Sequence, residues 1–308
     1  MDRRELPYHR GEHPGAHNSY PRARILGSTG AVPEPMSAVS TFRQRFGHSP
    51  ALIGMVHVGA LPGTPAARQP LDEIVGVAVA EARIYRDEGF TAIGLENMHD
   101  RPFLKGAVGP EIVAAMTVVA YEVKRETALP VGIQVLAGAN RESLAIAHAA
   151  GADFVRVEGF VFAHVADEGL IDGCAGALLR YRRAIDADRV LIFADIKKKH
   201  AAHALTSDVS LAETAHAAEF FLADGVIVTG PATGVETSPD DLRAVLEVAA
   251  GPVLVGSGLT DTNLARFRGA HGFIVGSSLK TGGLWSNPID RDAVRRLAKA
   301  FRALGDGP

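Results

Sequence analysis

Phe154-Val-Arg-Val-Glu158 and Ile192-Phe-Ala-Asp-Ile-Lys197 alternate two kinds of side chain, residue by residue. A β-strand sends successive side chains to opposite faces, so Val155 and Val157 share one face while Arg156 and Glu158 share the other. In the second stretch Phe193, Asp195 and Lys197 share a parity opposite the aliphatic positions. Aliphatic residues on one face and charges on the other suit a closed barrel, whose strands turn one face to surrounding helices and the other inward.

The same alternation recurs along the chain. Short β-branched runs fall at Leu52–Val56, Ala92–Leu95, Val131–Leu136, Phe154–Val157, Val190–Ala194, Val226–Thr229, Val253–Gly256 and Phe273–Gly276. Ala-rich segments with helical spacing separate them, including Asp72–Glu88, Pro110–Thr127, Ser210–Ala223 and Pro239–Ala249. Strand starts recur at intervals of roughly 30 residues, the size of a βαβ unit. Eight such units in one uninterrupted stretch predict a single α/β domain, a (β/α)8 TIM barrel over residues 49–308.

The inward parity ends in polar residues at the C-terminal end of each of the first five strands: His57, Glu96, Gln134, Arg156, Glu158, Asp195 and Lys197. Barrel enzymes place their chemistry at that end. A ring of buried charges is costly to maintain for packing alone. Strands six to eight end instead in glycine and hydroxyl residues: Thr229 and Gly230, then Gly256, Ser257 and Gly258, then Gly276, Ser277 and Ser278. Glycines there let backbone N–H groups approach a phosphate. The expected partner is therefore a small phosphorylated metabolite.

Composition narrows the alternatives. The 308 residues are 47% hydrophobic and 22% charged, an ordinary globular mixture. A net charge of −3 offers no global basic field for nucleic acid. The basic run Lys197-Lys-Lys-His200 lacks interleaved aromatic residues for base stacking; of its lysines, only Lys197 has the inward parity. One cysteine, Cys174, excludes an intrachain disulfide. No apolar run reaches the roughly 18 residues of a membrane span. No Gly-x-x-x-x-Gly-Lys-Ser/Thr loop, Rossmann glycine fingerprint or Gly-x-Ser-x-Gly elbow occurs. Residues 1–48 are rich in Pro, Gly, His and Arg and are expected to be a flexible extension. Met36 is an alternative start. The expected location is cytoplasmic, or organellar if the extension is a transit peptide. Ala-rich helices agree with a homo-oligomer.

Six motifs, in order, resemble the BtpA/SgcQ family: Gly54-Met-Val-His-Val-Gly-Ala-Leu-Pro-Gly-Thr-Pro65, Glu96-Asn-Met-His-Asp-Arg-Pro-Phe103, Phe193-Ala-Asp-Ile-Lys-Lys-Lys-His200, Val228-Thr-Gly-Pro-Ala-Thr-Gly234, Gly256-Ser-Gly258 and Ile274-Val-Gly-Ser-Ser-Leu-Lys280. The resemblance covers about Met36 to Ala303 and implies a ribulose-phosphate-binding-like barrel. It also implies two dissimilar roles. One cyanobacterial member is linked to photosystem I accumulation, and an enterobacterial one sits among sugar-utilisation genes and is called a nucleoside triphosphatase. Many members read Asn-Val-Leu-Arg-Asn-Asp after strand three. Here Gln134-Val-Leu-Ala-Gly-Ala-Asn140 stands instead, and Glu158-Gly-Phe-Val-Phe replaces an Asn followed by small residues. Both changes resemble a non-photosynthetic branch.

The ring admits three chemistries. Asp195 with Lys197 could move a proton to a carbanion, or a desolvated Lys197 could form a Schiff base. Glu96, Glu158 and Asp195 could instead hold Mg2+. His57 and His200 are candidate acid–base groups. Gly159–Gly173 is longer than an ordinary connection, and Asp167-Glu-Gly169 within it is a candidate lid. The expectation is a lyase, isomerase or hydrolase; the rival is a non-catalytic metabolite-binding or complex-assembly factor.

Overall fold

Phe154 of the fourth barrel strand fills the space that Gly132 leaves on the third. A Cβ built on Gly132 would fall 2.1 Å from that ring, and such fits set the register of this barrel. The computed structural model describes residues 37–47, 50–230 and 234–305. The chain divides into two compact units, residues 1–35 and 36–308, and every described residue lies in the second. The expectations for Met36 and for the preceding extension lie outside the described residues.

The strands are β1 (Ala51–His57), β2 (Ala92–Glu96), β3 (Val131–Gln134), β4 (Phe154–Val157), β5 (His164–Ala166), β6 (Gly169–Ile171), β7 (Leu191–Ile196), β8 (Ala201–Ala202), β9 (Gly225–Thr229), β10 (Val253–Gly256) and β11 (Gly272–Val275). Eight of them pair in parallel and close in the order β1-β11-β10-β9-β7-β4-β3-β2. The helices are α1 (Ala38–Phe46), α2 (Leu71–Asp87), α3 (Pro110–Thr127), α4 (Asn140–Ala150), α5 (Ala175–Ala184), α6 (Leu211–Phe220), α7 (Pro239–Leu246) and α8 (Arg291–Arg302). Local chemistry sets several starts. Ser210 and Glu213 form a reciprocal capping box on α6, and Ser238 and Asp290 cap α7 and α8.

Two features depart from the expected pattern. The connection from β10 to β11 carries a 3-10 turn, Leu264–Phe267, in place of an α-helix. And residues 38–46 are not part of an unpacked extension. They form α1, whose Phe42 and Phe46 are buried and close the N-terminal end of the barrel against Phe154 and Phe193. The period-two pattern of the sequence could not show this, since the apolar contacts of a single short helix come from only two residues.

The interior splits as the alternation predicts. Val131, Ile133, Val155, Val157 and Ile192 join the layer beneath the helices. Ile53, Met55, Phe154, Phe193, Ile227, Leu254 and Ile274 form the separate core inside the barrel. That inner core fills the lower half only. Above it the same strands carry the polar residues.

Candidate functional site

Two positions beyond Phe154 on β4, and beyond Phe193 on β7, stand Arg156 and Asp195. Arg156 Nε donates to both Asp195 oxygens at 3.0 and 3.2 Å, and Nη2 donates to Oδ2 at 2.9 Å. The fork-shaped geometry makes this a strong, oriented pair, and the Asp195 carboxylate holds the guanidinium firmly charged. Beside it Lys198 donates to Glu158 at 3.2 Å, both side chains buried. Burial pushes the Glu158 carboxyl above its usual range, against the pull of Lys198. Asn140 Nδ2 donates to the Glu158 carbonyl at 2.7 Å and fixes the backbone there.

His57, at the end of β1, donates from Nδ1 to the Trp285 carbonyl at 2.9 Å. A carbonyl only accepts, so Nδ1 carries the proton and Nε2 presents its lone pair. Burial lowers the imidazole to about 4, overriding the opposing pull of Glu96, so the ring is neutral near pH 7. Glu96 of β2 faces it, with Oε2 3.9 Å from Nε2. That distance is an approach and not a hydrogen bond.

Of these groups His57, Glu96 and Arg156 line one cavity of about 250 Å3 at the C-terminal mouth, together with Lys199, Ser257, Gly258, Gly276, Ser277 and Ser278. Asp195 and Lys198 border a small separate cavity instead. His57 stands beside the loop after β11: a Cβ on Gly276 would fall 3.0 Å from its Nε2. The loop after β10 is held open by its own bonds. Asn263 Nδ2 donates to the Gly258 carbonyl at 2.8 Å, and Ser278 Oγ donates to the Leu259 carbonyl at 2.6 Å. Gly258 has φ +64°, and a Cβ there would sit 2.4 Å from Glu236 backbone atoms, so only glycine fits. Ser257 is left-handed too, at φ +75°, a conformation costly for a residue with a Cβ. Its Oγ is buried with no partner among the described residues, as is Thr229 Oγ1 behind it. Buried hydroxyls ordinarily find partners, so two without one beside a single loop stand out among the described residues.

The sequence-predicted residues divide accordingly. His57, Glu96 and Arg156 meet in the cavity with Ser257, Gly258, Gly276, Ser277 and Ser278. Thr229, Gly230 and Gly256 stand behind it; Gly230 lies against the Val235 and Glu236 backbone. Gln134 is buried with its Oε1 unpartnered. Lys197 is a correction. Strand β7 ends at Ile196, and Lys197 turns into left-handed backbone at φ +48°, so the strand alternation stops one residue short of it. Its Nζ donates weakly to the Thr206 carbonyl at 3.4 Å, beside a small separate cavity. Lys198 and Lys199, expected on a solvated loop, turn inward in its place. Lys199 lies among Glu96, Asp195 and Glu158, and burial together with Arg156 lowers its ammonium below the ordinary lysine value. His200 is exposed beyond the cavity, near Asp167 and Glu168.

The three candidate Mg2+ carboxylates do not form a ligand set. Arg156 occupies both oxygens of Asp195, Lys198 takes Glu158, and among the described residues no three His, Cys, Asp or Glu side chains come together for an ion. The long connection after β4 contains β5 and β6; β5 pairs antiparallel with both β6 and β8 in a small sheet, and Asp167 and Glu168 form the turn between β5 and β6. Trp285 and Lys199 escaped the strand pattern because both stand on loops. The nearest signal for Trp285 was that it is the only tryptophan in the chain.

Fold and mouth together define a (β/α)8 barrel whose C-terminal cavity is lined by His57, Glu96, Arg156 and Lys199 and by the glycine–serine loops after β10 and β11. A profile of the BtpA family matches residues 48–303, and the chain belongs to that family. An uncharacterized mitochondrial protein of Caenorhabditis elegans is 48% identical over 83% of this chain and 94% of its own length. The photosystem I biogenesis protein BtpA of Synechocystis is 39% identical over 82% of this chain and 88% of its own. Among solved structures, (S)-3-O-geranylgeranylglyceryl phosphate synthase from Thermoplasma acidophilum, in complex with sn-glycerol-1-phosphate, superposes with a TM-score of 0.55. That likeness spans 87% of this chain and all of the other at 16% identity, which speaks to the fold alone. No helix among the described residues is long and apolar enough to cross a membrane.

Proposed function

We propose that this protein is an enzyme acting on a small phosphorylated metabolite by proton transfer, as an isomerase or lyase. The observation that carries the reading is a single cavity lined both by Ser257, whose hydroxyl has no partner among the described residues, and by a neutral His57 whose Nε2 lies beside Gly276. The phosphate sits against Ser257–Gly258 and Gly276–Ser278, where backbone N–H groups at the start of the 3-10 turn Ser277–Leu279 lack intrahelical partners. His57 Nε2, beside Glu96, takes the proton. Lys199, its ammonium weakened by burial, stabilises the anion that develops or returns the proton. Arg156 and Asp195 hold the floor of the site in one geometry. The Thermoplasma synthase, solved in complex with sn-glycerol-1-phosphate, supports a phosphorylated ligand for a barrel of this fold.

The name of the Synechocystis relative favours a second reading, a metabolite-binding assembly factor without turnover. For location, the mitochondrial designation of the worm relative supports the organellar alternative over the cytoplasm.

A thermal-shift titration with inorganic phosphate and a panel of sugar phosphates tests the enzyme reading. A ligand at a hundred times its Kd adds about 2.7 kcal/mol, a shift of a few degrees for a chain of this size. We expect a shift that Ser257→Asp abolishes. His57→Asn and Glu96→Gln should keep the shift and lose turnover of whichever phosphate binds. No shift with any phosphate would remove the cradle and put the assembly factor first.

A further inference from the structure

The mouth does not end at His57. On the far side of its ring lies a second cavity of about 530 Å3, between α2 and the segment that follows β11, and His57 lines both. Its walls are largely apolar, from Ile74, Val77 and Ile84 of α2 on one side to Trp285 and Ile289 on the other. The Arg101 guanidinium lies 4.9 Å from the centre of the Trp285 ring, and the His99 ring is 4.9 Å from it on a tilt. The one carboxylate on the walls, Glu81, is bonded to buried Lys280. Arg68 and Arg101 therefore leave the chamber with an excess of positive charge.

Volume and adjacency together say what this chamber receives. A cavity of 250 Å3 is small for a whole metabolite, since ligand pockets ordinarily run from about 300 to 1,000 Å3. The second chamber, which shares His57 as a wall with the first, falls within that range. Trp285 links them physically: its carbonyl fixes the His57 ring, while its indole faces the second chamber.

Resting on the reading of the mouth as a phosphate site, we propose that the substrate is bipartite. Its phosphate occupies the Ser257–Ser278 cradle, and a flat apolar group, an aromatic ring above all, occupies the chamber lined by Val77, Ile84 and Trp285. A ring there gains contact with the indole and with Arg101, whose charge is attracted to an aromatic face. A cationic group is disfavoured by Arg68 and Arg101. The bond that reacts lies between the two halves, next to His57.

Trp285 is the only tryptophan, so its fluorescence reports directly on this chamber. The full-length chain is titrated with inorganic phosphate by calorimetry. It is then titrated with phosphates carrying a phenyl ring on methylene spacers of increasing length, with fluorescence read in parallel. We expect phosphate to bind, one spacer length to bind at least tenfold tighter, and that ligand alone to shift or quench Trp285. Ala80→Phe, which fills the chamber from an exposed position on α2, and Val77→Asp should each remove the gain while leaving the affinity for inorganic phosphate unchanged. If phosphate binds and no phenyl ligand gains tenfold, or the gain survives both variants, the bipartite substrate is wrong and the phosphate cradle stands. If neither phosphate nor any phenyl phosphate binds, both readings fall.

Discussion

The two ends of this barrel are built from the same strands, two residues apart, and are chemically opposite. Phe154 and Phe193 lie at the lower end; Arg156 and Asp195 lie on the same strands at the upper end. Below, α1 adds Phe42 and Phe46 to a closed aromatic and aliphatic core, and the one carboxylate at the foot of β4, Asp153, is held by Lys124 and Arg45. Above, charges are buried in pairs, Ser257 is held in left-handed backbone, and two hydroxyls and the Gln134 carbonyl lack partners among the described residues. The lower end contributes stability. The upper end costs stability, which a protein keeps only where a ligand or reaction makes use of it.

If that division is right, the largest stability effects should come from Phe193→Ala and Asp195→Ala, for different reasons. Phe193→Ala opens a cavity in the lower core and should cost about 3–5 kcal/mol in urea unfolding. Asp195→Ala leaves the Arg156 charge buried and unpaired and should cost a similar amount, about 3–5 kcal/mol. The comparison is sharpened by the double variant Arg156→Met with Asp195→Leu, which removes both charges and should recover most of that loss. Failure to recover it would mean that the pair stabilises the upper end outright.

Next in size is a pH effect confined to the mouth. The folded chain lowers His57 from 6.5 to about 4, so between those values the unfolded chain binds a proton that the folded one refuses. The contribution of the neutral ring is therefore complete above pH 6.5 and lost as pH falls toward 4, on the order of 3 kcal/mol in all. Stability measured across that window should fall less steeply in His57→Asn, whose amide can still donate to the Trp285 carbonyl. An unchanged slope would show that His57 charges freely in the folded chain.

The smallest expected effect carries the sharpest sign. Ser257→Gly relieves a left-handed serine and should stabilise the chain by about 0.5–1 kcal/mol, while weakening phosphate binding through the lost hydroxyl. A change to glycine at the lower end, Ala51→Gly, where the backbone is extended strand, should stabilise nothing. If Ser257→Gly destabilises, Oγ has a structural partner and the cradle loses its best evidence.

The period-two alternation, a local property of the chain, determined the eight barrel strands, the split between helix-facing and inward residues, and the grouping of His57, Glu96 and Arg156 with the glycine–serine loops. Those follow because a strand alternates its faces wherever it runs, so the inward set is legible one strand at a time. Tertiary structure alone decided the rest. Lys199 replaces Lys197 because the backbone leaves the sheet at Lys197 with positive φ, and periodicity says nothing beyond a strand end. Of the three carboxylates that could have held an ion, Asp195 and Glu158 are instead claimed by Arg156 and Lys198, which pairwise distance and not sequence spacing decides. Likewise α1 plugs the barrel and Trp285 reaches back to His57 from 228 residues away, contacts that exist only once the barrel has closed.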